Sequence, residues 1–356
     1  MSSTYASTVL QDAIYTAMKK DTFQSFETRG SVYGALDIAT AQTNILLPKS
    51  TIQKIKQAES QAEKINVFKK ESEGTDVAFA CSFSGNGATD RMTLTYEPFV
   101  EGFSLSYGDM SANMYTYAEM YQMRFEEKMK SMYKRIDEYV VSILEANYSA
   151  GAGDSFNLYN NAFQVPLDEY DLSAQRSALW LNKLKSDIRK NDFSGDNIHV
   201  LGDSNLVSVM SAMINQGTGT QTNLGFQFQG VTSNFTNRIV NNNGIYATGF
   251  VFEQGAFGII DWIDPLFRAG KEIGTDEWTS FIEPRYGMTI GVKVKRECAD
   301  NTSVFSGMTM SADFQESWQF GVMVAVPIAY SSDANTFIYK YELDADNNVL
   351  SGSGSY

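Results

Sequence analysis

Cysteine and histidine are nearly absent from this chain. Its 356 residues hold two cysteines, Cys81 and Cys298, and one histidine, His199. Two thiols cannot build a disulfide framework or a cysteine-rich zinc site, so reduced cytosolic thiols are the default. A single histidine removes most histidine-based catalysis and histidine-rich metal binding. Basic charge is also scarce: 28 Lys and Arg face 42 Asp and Glu, a formal net charge of −14. Gripping nucleic-acid phosphates as a main task needs a net basic surface, and this composition argues against it. No apolar run reaches the ~18 residues of a membrane-spanning helix. The opening MSSTYASTVLQDAIYTAMKK lacks the basic-then-apolar order of a signal peptide, so a cytoplasmic setting is expected.

What the chain does hold is material for two or three packed lobes. It is 43% hydrophobic and 13% aromatic, enough to build cores and interfaces. Its strongest signal runs from about Asn113 to Asn147, a stretch without Gly or Pro. Met114, Tyr117, Tyr121, Phe125, Met129, Met132, Ile136, Tyr139, Val140, Ile143 and Leu144 recur there at three- and four-residue steps. That period keeps them on one face of a helix. At 1.5 Å per residue the helix would run roughly 50 Å, far beyond ordinary globular length. It predicts a strut across a large, flat domain.

Around this rod the pattern changes repeatedly. The first ~70 residues are polar and read mostly as helix, with Leu47–Val67 opening on Ser50 or Thr51 as N-cap. From Thr75 to Tyr107 the period becomes two. Val77, Phe79, Cys81 and Phe83 alternate with small residues, SGNG follows, and Met92, Leu94, Tyr96, Phe103, Leu105 and Tyr107 resume the alternation. These are hairpin signals. Beyond a loose Gly- and Asn-rich link (Ser149 to Asn161), a helix from Ser173 or Ala174 to about Lys190 precedes the buried strand Asn197–Leu201. A helix capped by Asp203 or Ser204 comes next, which implies a mixed α/β lobe. Gln216–Gly225 reads as an exposed loop. Strands are predicted at Ile245–Phe252, across Tyr286–Val294 and from Trp318 to Val326, and the final SGSGSY reads as a flexible tail.

Short motifs with chemistry are weak. His199 sits in an apolar strand with no motif around it, and its plain reading is structural. The acidic pairs Asp261/Asp264, Asp276/Glu277 and Asp168/Glu169 are what an acidic chain shows by chance. Asp344-Ala-Asp346-Asn-Asn348 has Val349 where a calcium loop needs Gly, and is rejected as an ion site. Gly217-Thr-Gly219 and Gly151-Ala-Gly153 lack phosphate-loop spacing. Lys293, Lys295 and Arg296 place a basic stripe on one strand. It is either a solvated strand face or a contact with a neighbour's acidic surface or with DNA.

The order of elements (polar arm, extended hairpin, very long helix, mixed lobe, returning strands) resembles the major capsid proteins of tailed bacteriophages, the Hong Kong 97-type fold. Asn197 to Met213, Ile245 to Pro265 and Arg285 to Cys298 share that family's texture. The resemblance implies an α+β chain divided as follows: 1–74 the N-terminal arm and helices; 75–108 the extended β-hairpin loop; 109–172 the spine helix and link of the peripheral domain; 173–250 the axial domain; 251–356 the return strands of the peripheral domain and the C-terminal tail. It implies a non-enzymatic shell protein without cofactor or metal. Such a protein self-assembles through hexamers and pentamers into an icosahedral virion head, built in the host cytoplasm around double-stranded DNA that it encloses without reading sequence. A scaffolding protein, a portal and a decoration protein are the implied partners, and no membrane is. Asp90, Arg91, Glu97 and Glu101 in the hairpin, with Lys293, Lys295 and Arg296, are the intersubunit contact candidates. No residue pair is assigned to a covalent crosslink. The short N-terminal region lacks a long charged scaffolding segment, which suggests separate scaffolding or an already processed chain. Alternatives are an encapsulin-like compartment around a protein cargo, a monomeric surface- or carbohydrate-binding protein, and an acidic hydrolase.

Overall fold

The computed structural model describes residues 5–19, 32–41, 49–61, 64–68, 89–106, 115–148, 158–159, 162–166, 197–207, 210, 220–222, 225–228, 231–241, 245–268, 270–274, 276–299, 303–305, 308–310, 313–329, 336 and 338–344. The predicted strand at Val77–Phe83 with its SGNG turn, the Ser173–Lys190 helix, Asp168/Glu169, both Gly-x-Gly segments and the terminal SGSGSY lie outside them.

The long helix is present as Tyr117–Ala146, 30 residues, or about 45 Å of rod. Thr116 starts it with a reciprocal cap. The Thr116 hydroxyl accepts from the Glu119 amide at 3.3 Å, and the Glu119 carboxylate accepts from the Thr116 amide at 2.8 Å. Two of the orphan amides at the helix start are thereby satisfied. Tyr121, Phe125, Met129, Met132, Ile136, Val140 and Leu144 form the buried stripe, as the period predicts. Arg124, Glu127, Lys134 and Glu138 stay half-exposed on the other side.

That stripe lies on a six-stranded antiparallel sheet. The strand Asp313–Ala325 pairs with Thr289–Ala299 along one side and with Glu97–Ser106 along the other. Register sets the faces: Phe103, Trp318 and Val294 stand abreast, as do Glu101, Phe320 and Val292. Side chains alternate across a pleated strand, so these residues share one face. Tyr121 meets the Trp318 ring at 4.7 Å, and Phe125 meets Phe320 at 5.4 Å, both edge to face, the geometry aromatic quadrupoles favour.

A second sheet has eight strands, ordered Leu158–Tyr159, Ala162–Pro166, Ile338–Asp344, Ile245–Glu253, Ile198–Gly202, Val231–Phe235, Gly225–Phe228 and Thr220–Thr222. Two of its pairings are parallel, Ile198–Gly202 with Val231–Phe235 and Ile338–Asp344 with Ala162–Pro166. Ile245–Glu253 is buried almost throughout, as a strand covered on both faces must be. Gly202 and Gly249 face each other in the ladder, and Leu206 fills the space where either Cβ would stand. The turn into the following helix therefore lies flat on the sheet. Of the two expected caps, Asp203 and Ser204, Asp203 serves, accepting from the Leu206 amide at 2.8 Å.

Three expectations are corrected. The helix read over Leu47–Val67 covers only Lys49–Gln57, so it begins ahead of Ser50 and Thr51, and Lys64–Phe68 is a strand paired with Thr89–Thr93. Tertiary partners end the helix early. The Ala58 carbonyl accepts from the Trp262 indole at 3.1 Å and the Arg268 guanidinium at 3.2 Å. The strand Glu97–Ser106, placed in the extended loop, is an integral part of the six-stranded sheet. Its alternating apolar residues close the core beside Trp318 and Phe320. Ile338–Asp344, within the segment assigned to peripheral return strands and tail, lies in the eight-stranded sheet beside Ile245–Glu253. The division at 250 therefore falls inside a strand.

Removing the Phe125 ring empties the centre of the helix–sheet contact. Phe125→Ala should cost about 3–5 kcal/mol in denaturant unfolding. Met123→Ala, on the same helix but 48% exposed, should shift it by no more than about 0.5 kcal/mol.

Candidate functional site

The hairpin residues divide once placed. Asp90 and Arg91 lie on the strand Thr89–Thr93, opposite Val67 and Asn66. Glu97 is exposed at the start of the strand Glu97–Ser106. Glu101 turns inward to the spine helix, where its carboxylate accepts from Arg135 at 3.0 Å and from the Ser131 hydroxyl at 3.1 Å. Arg135 also stacks over Phe99 at 5.6 Å. Glu101 thus fastens the strand to the helix within one chain. Between the two acids Val100 is 54% exposed, an apolar side chain standing in solvent along the sheet's outer strand.

The basic stripe is largely neutralised within the chain. Lys293 pairs with Asp276 at 2.8 Å and lies over the Trp278 ring at 4.7 Å. Lys295 pairs with Glu297 at 2.6 Å, an exposed pair whose carboxylate raises the lysine pKa. Arg296 points to the core face and bridges two buried carboxylates, Glu277 at 2.8 Å and Glu316 at 3.6 Å. The Tyr117 hydroxyl donates to Glu316 from the first turn of the spine helix. The acidic neighbours Asp276 and Glu277 therefore serve opposite sheet faces. Asp261 is buried, pairs with Lys56 and accepts from the Thr289 amide at 2.9 Å, while Asp264 caps the turn at Leu266 at 2.8 Å. These acids hold backbone and cations in place. His199 stacks on Phe252 at 6.1 Å, and burial lowers its pKa, in keeping with the structural reading. Among the described residues no group of three or more His, Cys, Asp and Glu could hold a metal ion.

One turn of the spine helix carries polar groups that the apolar period hides. The Asp137 carboxylate, fully buried, accepts from the Leu36 amide at 2.9 Å and the Thr236 hydroxyl at 2.6 Å. One turn earlier the Tyr133 hydroxyl donates to Glu283 at 2.5 Å, and Glu283 also accepts from the Arg285 and Tyr286 amides at 2.8 and 2.6 Å. Burial raises the pKa of Glu283 and of Tyr133. Arg285 reaches back to Asp37 at 3.3 Å and lies over Tyr286 at 4.9 Å. At the far end of the helix, buried Lys340 pairs with Glu145 at 2.5 Å and Glu342 at 3.1 Å. A charged residue four places from Tyr133, between Ile136 and Val140, was the available sequence signal for Asp137.

No protein-family model matches the chain, and no curated protein matches it in sequence. Its structure is similar to solved ones. The capsid of Ralstonia phage GP4 superposes with a TM-score of 0.50 at 8% identity, over 89% of this chain and 92% of that one. The mature capsid of bacteriophage PhiM1 gives 0.48 at 8% identity, over 80% and 83%. The SrpI encapsulin of Synechococcus elongatus gives 0.39 at 10% identity, over 87% and 91%. The first carries the assignment. The chain has the fold of a tailed-phage major capsid protein. Within this α+β capsid fold the expected intersubunit candidates separate into two groups. Glu101, Lys293, Lys295 and Arg296 have partners in their own chain, whereas Glu97 is exposed at the start of its strand and Asp90 and Arg91 lie on the strand Thr89–Thr93.

Breaking the Arg296 bridge leaves two carboxylates buried without their cation. Arg296→Ala should cost roughly 2–4 kcal/mol in urea unfolding, below the full buried-pair penalty because the guanidinium is 31% exposed. Lys295→Ala, at an exposed pair, should leave the unfolding midpoint where it is.

Proposed function

We propose that the chain is the building subunit of a phage head of the Hong Kong 97 type. It would assemble with copies of itself into hexamers and pentamers and enclose double-stranded DNA in an icosahedral shell. The observation that carries the reading is the GP4 capsid likeness, which spans 89% of this chain and 92% of that capsid protein. Coverage of this extent on both sides supports a likeness of the whole tile rather than of a shared lobe.

The distribution of charge supports the same reading. A shell forms reversibly only if each contact between copies is weak, and strength comes from repetition over many copies. Ion pairs closed within the chain, as at Glu101–Arg135 and Arg296–Glu277, stiffen the tile without making its edges sticky. The outer strand with Glu97 and Val100, and the hairpin of Lys64–Phe68 and Thr89–Thr93 with Asp90 and Arg91, are the proposed contact surfaces. A net charge of −14 suits a container whose contents are phosphate-rich and must not adhere. Scaffolding protein, portal and decoration protein complete the proposed set of partners.

Negative-stain microscopy of the expressed protein tests this. Closed shells, tubes or capsomers are the expected outcome, with DNA rather than a protein cargo in particles from infected cells. A monodisperse monomer at high concentration, even with scaffold supplied, would overturn the proposal. Val100→Glu should block assembly and leave the unfolding midpoint of the dissociated subunit unchanged.

A further inference from the structure

The helix Gly34–Ala41 begins without a cap of its own, since the preceding residue is Tyr33. An amide in its first turn, that of Leu36, is satisfied instead by Asp137 from the middle of the spine helix. A carboxylate at a helix start is favoured by the exposed amides and the helix dipole. The same side chain takes the Thr236 hydroxyl, just past the strand Val231–Phe235. Tyr33 bridges to Thr236, and a Cβ at Gly34 would run into the Phe235 backbone. One carboxyl group therefore joins three elements where the two sheets and the rod meet. The carboxyl is fully buried there.

We propose that Asp137 is a proton-linked latch, holding the helix Gly34–Ala41 on the spine helix more firmly in mild acid than at neutral pH. In both protonation states the carboxyl keeps a hydrogen bond to each of its two partners. The neutral carboxyl still accepts from Leu36, and it can donate to Thr236 Oγ1, which already accepts from the Arg238 amide at 3.2 Å. The ionised form must in addition bear burial and the nearby Asp37 carboxylate. Opposing these, the Thr236 and Leu36 donors and the Arg238 guanidinium favour the charge. Arg238 is itself shared with Glu138 at 3.8 Å. Arg285 and Glu283 face the same region from the turn after Ile282, with Lys130 on the spine helix.

Burial prevails: the Asp137 carboxyl is pushed up to about 6 from its ordinary 3.8. When the junction opens, the group returns to its ordinary value, so the closed state binds the proton more tightly. The extra hold is complete below 3.8 and is lost as pH rises through about 6. This inference concerns the subunit and holds whether or not shells form.

Hydrogen exchange of the purified protein reads it directly. Corrected for intrinsic rates, the amides of residues 34–41 should be about tenfold or more better protected near pH 5 than near pH 8. Asp137→Asn should remove that difference, and Glu283→Gln should keep it. Arg238→Gln should move the midpoint upward by withdrawing a favourable cation, and it serves as the deciding variant if Asp137→Asn does not fold. Equal protection at both pH values in the unaltered protein would overturn the latch. So would a pH difference that survives in Asp137→Asn, or a midpoint unmoved in Arg238→Gln.

Discussion

A helix of 30 residues has only one stripe to bury and needs a surface equally long to receive it. Here that surface is the inner face of the antiparallel sheet, built from Phe103, Trp318, Phe320, Val292 and Val294. The remaining architecture follows from this contact. Two long strands, Asp313–Ala325 and Thr289–Ala299, offer apolar residues in register over several turns. Glu97–Ser106 extends the same face on the outer side. Because the stripe mixes Tyr and Phe with Met129 and Met132, the bulky rings interlock edge to face while unbranched thioethers fill the gaps between them.

Much of this was legible because helices and strands each announce a period. The sequence places the rod's start within four residues of Tyr117 and narrows the later helix cap to Asp203 or Ser204, of which Asp203 caps. Pairing partners were not legible. Nothing local in Ile338–Asp344 tells that it will lie against Ile245–Glu253, and nothing in Glu97–Ser106 names Asp313–Ala325 as its neighbour. Charge marks the candidate contact residues in the sequence but not where their partners lie: Glu97 is exposed, while Glu101 and the basic stripe have partners in their own chain. Arg296 and Glu316 could have been read better. Each stands two places from a core residue, Val294 or Trp318, so strand alternation puts both on the buried face.

The buried acids show a division of labour. Glu277, Glu316 and Glu342 each sit beside a cation, and losing that cation would strand a charge. Asp137 and Glu283 rely chiefly on backbone amides and hydroxyls. The first kind fixes elements rigidly. The second leaves room for adjustment where the rod meets the segments that precede and follow it.

The position of Ile338–Asp344 has a consequence for how the molecule is made. This strand is interior to its sheet, flanked by Ala162–Pro166 on one side and Ile245–Glu253 on the other. During synthesis the earlier strands emerge first and wait with a gap between them, their backbone donors and acceptors unmet. The lobe can close only once residue 344 has cleared the ribosome, since this strand follows the other seven of its sheet in sequence. A half-made polypeptide therefore carries an open seam, and a completed one has it sewn shut.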